Sequence, residues 1–351
     1  MQSIETLLEA AQQRGASDVH LICGLAPKCR VDGRIQNLTD EPLDFAACEH
    51  YARALAGDEY EKMAAIGELD LARSFPCGAR TRINLFRQKG AVSAAIRILA
   101  GHIPEIEELQ LPPVVTELSE YRSGIVLVTG ETGSGKSTTL AALLDRINHS
   151  RDGHIITLED PIEYLYTPDR CIVNQREIGT DTRSYSDGLR AILREDPDVI
   201  LIGEMRDLPT IETALTAAET GHLVFATLHT NSAADSVDRM ISVFPEGQQR
   251  QIRLQVSATL RAVVCQQLLP RKSGHGRAAA CEVMVVNSAI RNLIREGKTQ
   301  QIDSFITMNA QNGSITMDKA LQSMVCDGTV SYDTALSCCR DREAFQSACR
   351  Y

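Results

Sequence analysis

Tryptophan is absent from the 351 residues, and aromatic side chains together make up only 4%. Cores must therefore rest on Leu, Ile, Val and Ala, and there is little aromatic surface on which single-stranded nucleic acid could stack. Positive charge is also in short supply: 36 Lys and Arg stand against 46 Asp and Glu, a formal net charge of −10. Nucleic-acid binding depends on cationic groups that displace counterions, so no nucleic acid is expected as a partner, although a local basic groove is compatible with this balance. No apolar run approaches the ~20 residues of a membrane-spanning helix, and the opening MQSIETLLEAAQQRG has no apolar core of the signal-peptide kind. The expectation is a cytoplasmic protein that partners can hold against a membrane. No two of the 11 cysteines are spaced as C-x-x-C, which argues against a zinc ribbon. Their odd number and the length of the chain argue against a disulfide scaffold, so the thiols read as small buried hydrophobes.

What is present falls into two grammars. In the first hundred residues, Ile4, Leu7, Leu8 and Ala11 follow helical spacing, and a second helix is expected near 44–56. Short apolar runs (SDVHLIC, CRVDGRI, DLARSF, RTRINLF, SAAIRIL) alternate with turn signals at Asp32-Gly33, Pro76 to Gly78 and Lys89-Gly90. This pattern reads as a small α+β domain with antiparallel hairpins over residues 1–101. Pro104, Pro112 and Pro113 mark 102–118 as a stiff linker. From Gly124 the runs GIVLVTG, HIITLED, VILIGE and HLVFATL are almost continuously apolar and are separated by helical stretches. Such strands belong to a parallel sheet covered on both faces, which makes residues 119–351 an α/β domain. Beyond Pro245 the chain reads as mostly helical, with QQRQIRLQVSATLRAVVCQQLL as one such stretch and AACEVMVV as an interrupting strand.

Gly130-Glu-Thr-Gly-Ser-Gly135-Lys136-Ser137 fits G-x-x-x-x-G-K-[ST], between a buried strand and a helix. Backbone N–H groups of such a loop close around phosphates at a helix N-terminus, with Lys136 reaching the β- and γ-phosphates of ATP and Ser137 ligating Mg2+. Hydrolysis also needs carboxylates. Glu204 ends the apolar run VILIGE. Glu159, Asp160 and Glu163 cluster where Pro161 breaks another strand, at the end of the sheet where open α/β folds hold ligands. His222 and His229 flank the run LVFATL. A solvated charge cluster and structural histidines are the plainer readings of these same residues.

The four segments GETGSGKST, TLEDPIEY, ILIGEMRD and GHLVFATLHTN, in this order, resemble the Walker A, Asp box, Walker B and His box of the type II/type IV secretion ATPases. GASDVHL and RVDGRI resemble the N-terminal domain of that family. SAIRNLIREGKTQQI resembles the motif of its pilus-retraction members. The resemblance implies a RecA-like P-loop domain with a smaller PAS-like α+β domain before it and a helical C-terminal extension. Gly130, Thr132, Gly133, Ser134, Gly135, Lys136, Ser137, Thr138 and His222 would bind or shape the nucleotide site. Glu163 would polarise the attacking water, Glu204 would support Mg2+ and catalysis, and His229 would contact the γ-phosphate. Arg82 and Arg97 would complete the site from the first domain, with Arg80 close enough to blur the first assignment.

The resemblance further implies a homohexamer at the cytoplasmic face of the inner membrane, working with a pilus platform protein and with a second pilus ATPase. It departs from the family at Glu131, where proline is common. An accessory retraction ATPase, an assembly or secretion ATPase and a DNA-translocating conjugation ATPase are the alternatives. The assembly type usually carries a four-cysteine zinc element that QQLLPRKSGHGRAAACEVMVV lacks.

Overall fold

Alternating inward and outward residues build the first sheet. The computed structural model describes residues 2–31, 33–99 and 101–349. Strands β1 (Asp18–Leu21), β2 (Lys28–Val31), β3 (Arg34–Asn37), β4 (Glu68–Ser74), β5 (Arg80–Gln88) and β6 (Ala91–Ile98) pair antiparallel in the order β3-β2-β1-β6-β5-β4. Along β5, Thr81, Ile83 and Leu85 are buried while Arg82 is exposed, the period of two that a pleated strand imposes. Helices α1 (Ile4–Gln13) and α2 (Phe45–Ala56) pack into the same core through Leu7, Leu8, Tyr51 and Leu55. Ser3 and Asp44 cap them by accepting from the N–H groups of Thr6 and Ala47, which satisfies donors that a helix start leaves open. A third helix, α3 (Tyr60–Ile66), has no counterpart among the sequence-based expectations. It buries only Tyr60 and Met63, too few positions to display a helical period. Of the expected turn at Asp32-Gly33, Asp32 lies outside the described residues, as do the last two residues of DREAFQSACRY.

This first unit comprises Met1–His102 together with Pro161–Leu165, and the second comprises Ile103–Asp160 and Tyr166–Tyr351.

In the second unit, β7 (Gly124–Thr129), β8 (Gly153–Glu159), β9 (Cys171–Glu177), β10 (Val199–Ile202), β11 (Leu223–Leu228), β12 (Leu260–Pro270) and β13 (Arg277–Val285) form one sheet, ordered β13-β12-β7-β11-β10-β8-β9. All pairings are parallel except β12 with β13. Successive residues of β7 enter two different cores: Ile125 and Leu127 on one face, Val126 and Val128 on the other. Both faces are covered, which is why these strands read as unbroken apolar runs.

One face carries α4 (Pro113–Glu117) and α5 (Lys136–Ser150). The other carries α6 (Tyr185–Ile192), α7 (Leu208–Glu219), α8 (Ala233–Ser242), α9 (Glu246–Thr259) and α10 (Ser288–Glu296). Helices α11 (Ile302–Met308), α12 (Met317–Cys326), α13 (Tyr332–Cys338) and α14 (Arg342–Ala348) complete the chain, and the last three enclose a small core against β12 and β13.

The single helical stretch expected from QQRQIRLQVSATLRAVVCQQLL is corrected. It breaks after Thr259, and Leu260–Pro270 becomes β12. A short apolar run buried on all sides has no period that separates helix from strand. The decision falls to pairing, since Ala262–Cys265 lie between β7 and β13.

Candidate nucleotide site

Strand β7 ends at Thr129 and α5 begins at Lys136, so the glycine-rich segment is the turn between them. Two glycines are required by geometry. Gly130 has φ +138°, and a Cβ there would collide with the carbonyl oxygen of Gln266. Gly135 has φ +91°, and a Cβ would lie 2.6 Å from Gln266 Nε2. Glycine alone tolerates such backbone angles at no steric cost. The turn therefore closes against β12, where Gln266 Oε1 also accepts a hydrogen bond of 2.9 Å from Thr139 Oγ1. Gln266 is a part of the site that motif reading missed. It stands far along the chain and is brought in only by β12 pairing beside β7.

Several observations fit this turn to phosphate. Gly135 caps α5 without a side-chain hydrogen bond, leaving the helix N-terminus open to an anion. Ser134 Oγ is buried with no protein partner. Lys136 is almost fully buried, and its Nζ donates to the carbonyls of Gly130 at 2.8 Å and Glu131 at 2.9 Å. Those contacts aim the ammonium into the turn. Thr132 and Gly133 are exposed at the tip and Ser137 is exposed on the first turn of α5. A cavity of about 370 Å3 adjoins the helix start, lined by Glu108, Leu109, Gly135, Thr138, Gln266 and Arg277, among others. Among the described residues no cluster of three His, Cys, Asp or Glu side chains suits a metal ion. A Mg2+ site built from one or two protein oxygens and substrate phosphates needs none, and the Ser137 hydroxyl and Glu204 carboxylate are oxygen donors of the right kind.

Glu204 follows β10 by two residues. Gly203 donates its N–H to the Leu158 carbonyl at 2.8 Å, and its own carbonyl accepts from Thr227 Oγ1 at 2.5 Å, which ties the segment to β8 and β11. The carboxylate is mostly buried. Its Oε1 lies 2.5 Å from Arg206 Nε and 3.1 Å from His229 Nε2. Burial acts to raise its pKa, but the hydrogen bond and charge of Arg206 and the neighbouring His229 outweigh it and leave the carboxyl below its ordinary value. Arg206 is a second partner that motif reading left without a role, although it stands in ILIGEMRD. Tyr185 is partly buried beside this group, and its phenol pKa is held strongly upward by desolvation, then by Asp160, Glu204 and Glu159. Glu159 itself accepts from Thr157 Oγ1 at 2.7 Å and Gln175 Nε2 at 3.3 Å.

His229 and His222 part company. Leu228 pairs with Thr129 and Leu223 with Gly124 in the parallel β7–β11 ladder. His229 therefore emerges at the same sheet edge as the glycine turn, whereas His222 sits at the opposite edge, roughly 20 Å away at the rise of an extended strand. Its Nδ1 lies 2.9 Å from the Ala217 carbonyl and 3.1 Å from Thr220 Oγ1. His222 therefore does not reach the glycine turn of its own chain, because a strand's two ends face opposite ends of the sheet.

Glu163, Arg82 and Arg97 belong to the first unit. Arg82 pairs with Arg97 across β5 and β6, and Arg97 pairs with Asp18 across β6 and β1. Directly paired residues share a face of the sheet, so Arg82, Arg97 and Asp18 form one row, with Arg97 Nε 3.2 Å from Asp18 Oδ1. Arg80 lies on the same face but is engaged differently, since its Nε donates to the Ile162 carbonyl at 2.8 Å, next to Glu163.

A parallel sheet with a glycine turn opening a helix, and with a mostly buried acidic residue and a histidine at the same edge, defines a RecA-like P-loop nucleotide-binding domain. Residues 94–337 match the family described as Type II/IV secretion system protein. The chain is 45% identical over 333 residues to the type IV pilus retractation ATPase PilT of Pseudomonas aeruginosa, covering 95% of this chain and 96% of that one. It is 36% identical over 334 residues to the type IV pilus ATPase PilU of the same organism, covering 95% and 87%. Among solved structures, the pilus retraction motor PilT with bound ADP superposes with a TM-score of 0.92 at 44% identity, covering 99% of this chain and all of that one. The chain belongs to the type II/IV secretion system protein family. No helix among the described residues is long and apolar enough to cross a membrane.

Proposed function

We infer that this chain is an ATPase that powers type IV pilus retraction and hence twitching motility. The observation that carries the reading is the meeting of a preformed phosphate turn with Glu204 and His229 at one sheet edge, in a chain that resembles a pilus retraction motor over its whole length. Lys136 and the turn N–H groups would hold the β- and γ-phosphates, and the base would occupy the cavity beside Thr138 and Gln266. Ser137 and Glu204 would hold Mg2+, which neutralises charge on the transferring phosphoryl group. Glu163 would orient and deprotonate the attacking water, with His229 hydrogen-bonding the γ-phosphate. Arg82 and Arg97 would supply positive charge to the transferring phosphoryl group.

The reading extends to a homohexamer, to action at the cytoplasmic face of the inner membrane and to a pilus platform protein as partner, with a second pilus ATPase alongside. The lower identity to PilU favours the principal retraction motor over the accessory one. Deletion in the host tests the function. Excess surface pili with lost twitching is the expected phenotype, and bald cells would mean assembly instead. Specific activity of the purified chain should rise with concentration through the range in which light scattering reports ring formation.

A further inference from the structure

The C-terminal turn CCRDRE, which the mechanism leaves unused, reaches the loop that carries His229. Glu282 on β13 is fully buried. Its Oε1 accepts from the Ala233 N–H at 2.8 Å and its Oε2 from the Met317 N–H at 3.3 Å. Ala233 and Met317 are the first residues of α8 and α12, so one carboxylate receives two helix N-termini, which favour negative charge. Arg340, between α13 and α14, grips the same carboxylate as a fork, Nη1 to Oε2 at 2.6 Å and Nη2 to Oε1 at 3.0 Å. Its Nη2 also donates to the Asn231 carbonyl at 2.6 Å. The Arg340 backbone is fixed in turn, because the N–H groups of Arg340 and Asp341 donate to the Asp318 carboxylate at 2.8 and 3.0 Å.

Asn231 lies two residues beyond His229. The loop leaves β11 at Leu228, presents His229 to Glu204, and enters α8 at Ala233. It is tied to α8 by the Thr230–Ser236 hydroxyl contact at 2.7 Å and by Ser232, whose Oγ accepts from the Asp235 N–H at 2.9 Å and whose carbonyl accepts from Ser236 Oγ at 2.7 Å, and to β12 by a long Cys265 Sγ donation to the Thr230 carbonyl at 3.8 Å. A guanidinium presents several donors in a rigid plane and so can hold a carboxylate and a carbonyl at once.

We propose that Arg340 is a positioning residue for hydrolysis: it fastens the 229–232 loop to the C-terminal helices and so sets His229 against Glu204. The proposal rests on the reading of Glu204 and His229 as parts of the hydrolytic site. Small displacements of a catalytic group can cost on the order of 10²-fold in rate, and Arg340 ties the loop to a charged group at its Asn231 carbonyl, apart from the His229–Glu204 contact that it would position.

The test compares ATP turnover and nucleotide affinity in the full-length assembled protein for Arg340→Lys, Asp318→Asn, His229→Ala and the double variant Arg340→Lys/His229→Ala. Lysine keeps a cation beside buried Glu282 but cannot span both acceptors. Asp318→Asn loosens the turn without touching Glu282, and serves if Arg340→Lys fails to assemble. Expected are a roughly tenfold or greater loss of kcat in Arg340→Lys and in Asp318→Asn and an ATP KM changed less than about twofold. In the His229→Ala background, Arg340→Lys should cause no further loss, because residues that act as one unit are not additive. A purely structural Arg340 would lower turnover equally in both backgrounds; that additivity, or unchanged turnover in both Arg340→Lys and Asp318→Asn, overturns the proposal while leaving the site reading intact. Unchanged turnover in His229→Ala overturns the site reading and the proposal with it.

Discussion

Arg206 Nε lies 2.5 Å from Glu204 Oε1, the oxygen that His229 Nε2 also reaches at 3.1 Å. The carboxylate is mostly buried whereas Arg206 is largely exposed, so a surface side chain holds a buried charge in its ionised form. Loss of that partner would leave the desolvation of Glu204 unopposed on one side.

The pH dependence follows from this balance. Glu204 has a depressed pKa in the folded protein, so its ionised form persists as pH falls and is lost only on passing through that lowered value. Its ion pairing contributes stability that is present above the unfolded-state pKa and disappears as pH falls through the folded one. Arg206→Met raises the folded pKa, so the acid limb of kcat/KM for ATP should move to higher pH. A pH–rate profile of wild type and variant checks this, and coincident acid limbs would remove Arg206 from control of Glu204.

The phosphate turn predicts a sharp effect of one methyl group. In Gly135→Ala the new Cβ meets Gln266 Nε2 at 2.6 Å with φ at +91°, and an L-residue in left-handed backbone costs roughly 1–2 kcal/mol before any clash. The expected outcome is a lower Tm and weakened ATP binding, measured by calorimetry. Lys136→Ala should also abolish tight binding, with an added loss of order in the nucleotide-free turn, since Nζ bridges the Gly130 and Glu131 carbonyls. Near-normal affinity in both variants would contradict the phosphate assignment.

Glu163 and Glu204 should separate from Lys136 in kinetics. Glu163→Gln should bind nucleotide normally and lose turnover, because an amide cannot take the water's proton, and a general base contributes typically ~10²–10⁴-fold. Glu204→Gln should also lose turnover, with an altered Mg2+ requirement. Phosphate release under single-turnover conditions reads both. A loss of less than tenfold in Glu163→Gln would exclude the role of base.

Much of this was legible in the chain. The glycine turn, the four apolar parallel strands and the two helices of the first unit were visible because each shows a local period or a local stereochemical need. Strand β12 was not, because a run buried on every side has no period, and α3 was too short to display one. Gln266, Arg206 as a partner of Glu204, and the split between His222 and His229 were equally invisible, since each depends on which strand lies beside which.

The sequence by itself determined the phosphate turn, because glycine at 130 and 135 takes positive φ at low steric cost, and it determined the doubly covered sheet through its unbroken Val, Ile and Leu runs. Only the tertiary structure decided which polar groups meet. It brought Glu204, Arg206 and His229 to one edge, sent His222 to the other, and joined Glu282 to Arg340 across 58 positions of sequence. Strand order sets those meetings, and strand order is an outcome of long-range pairing that no short stretch of residues encodes.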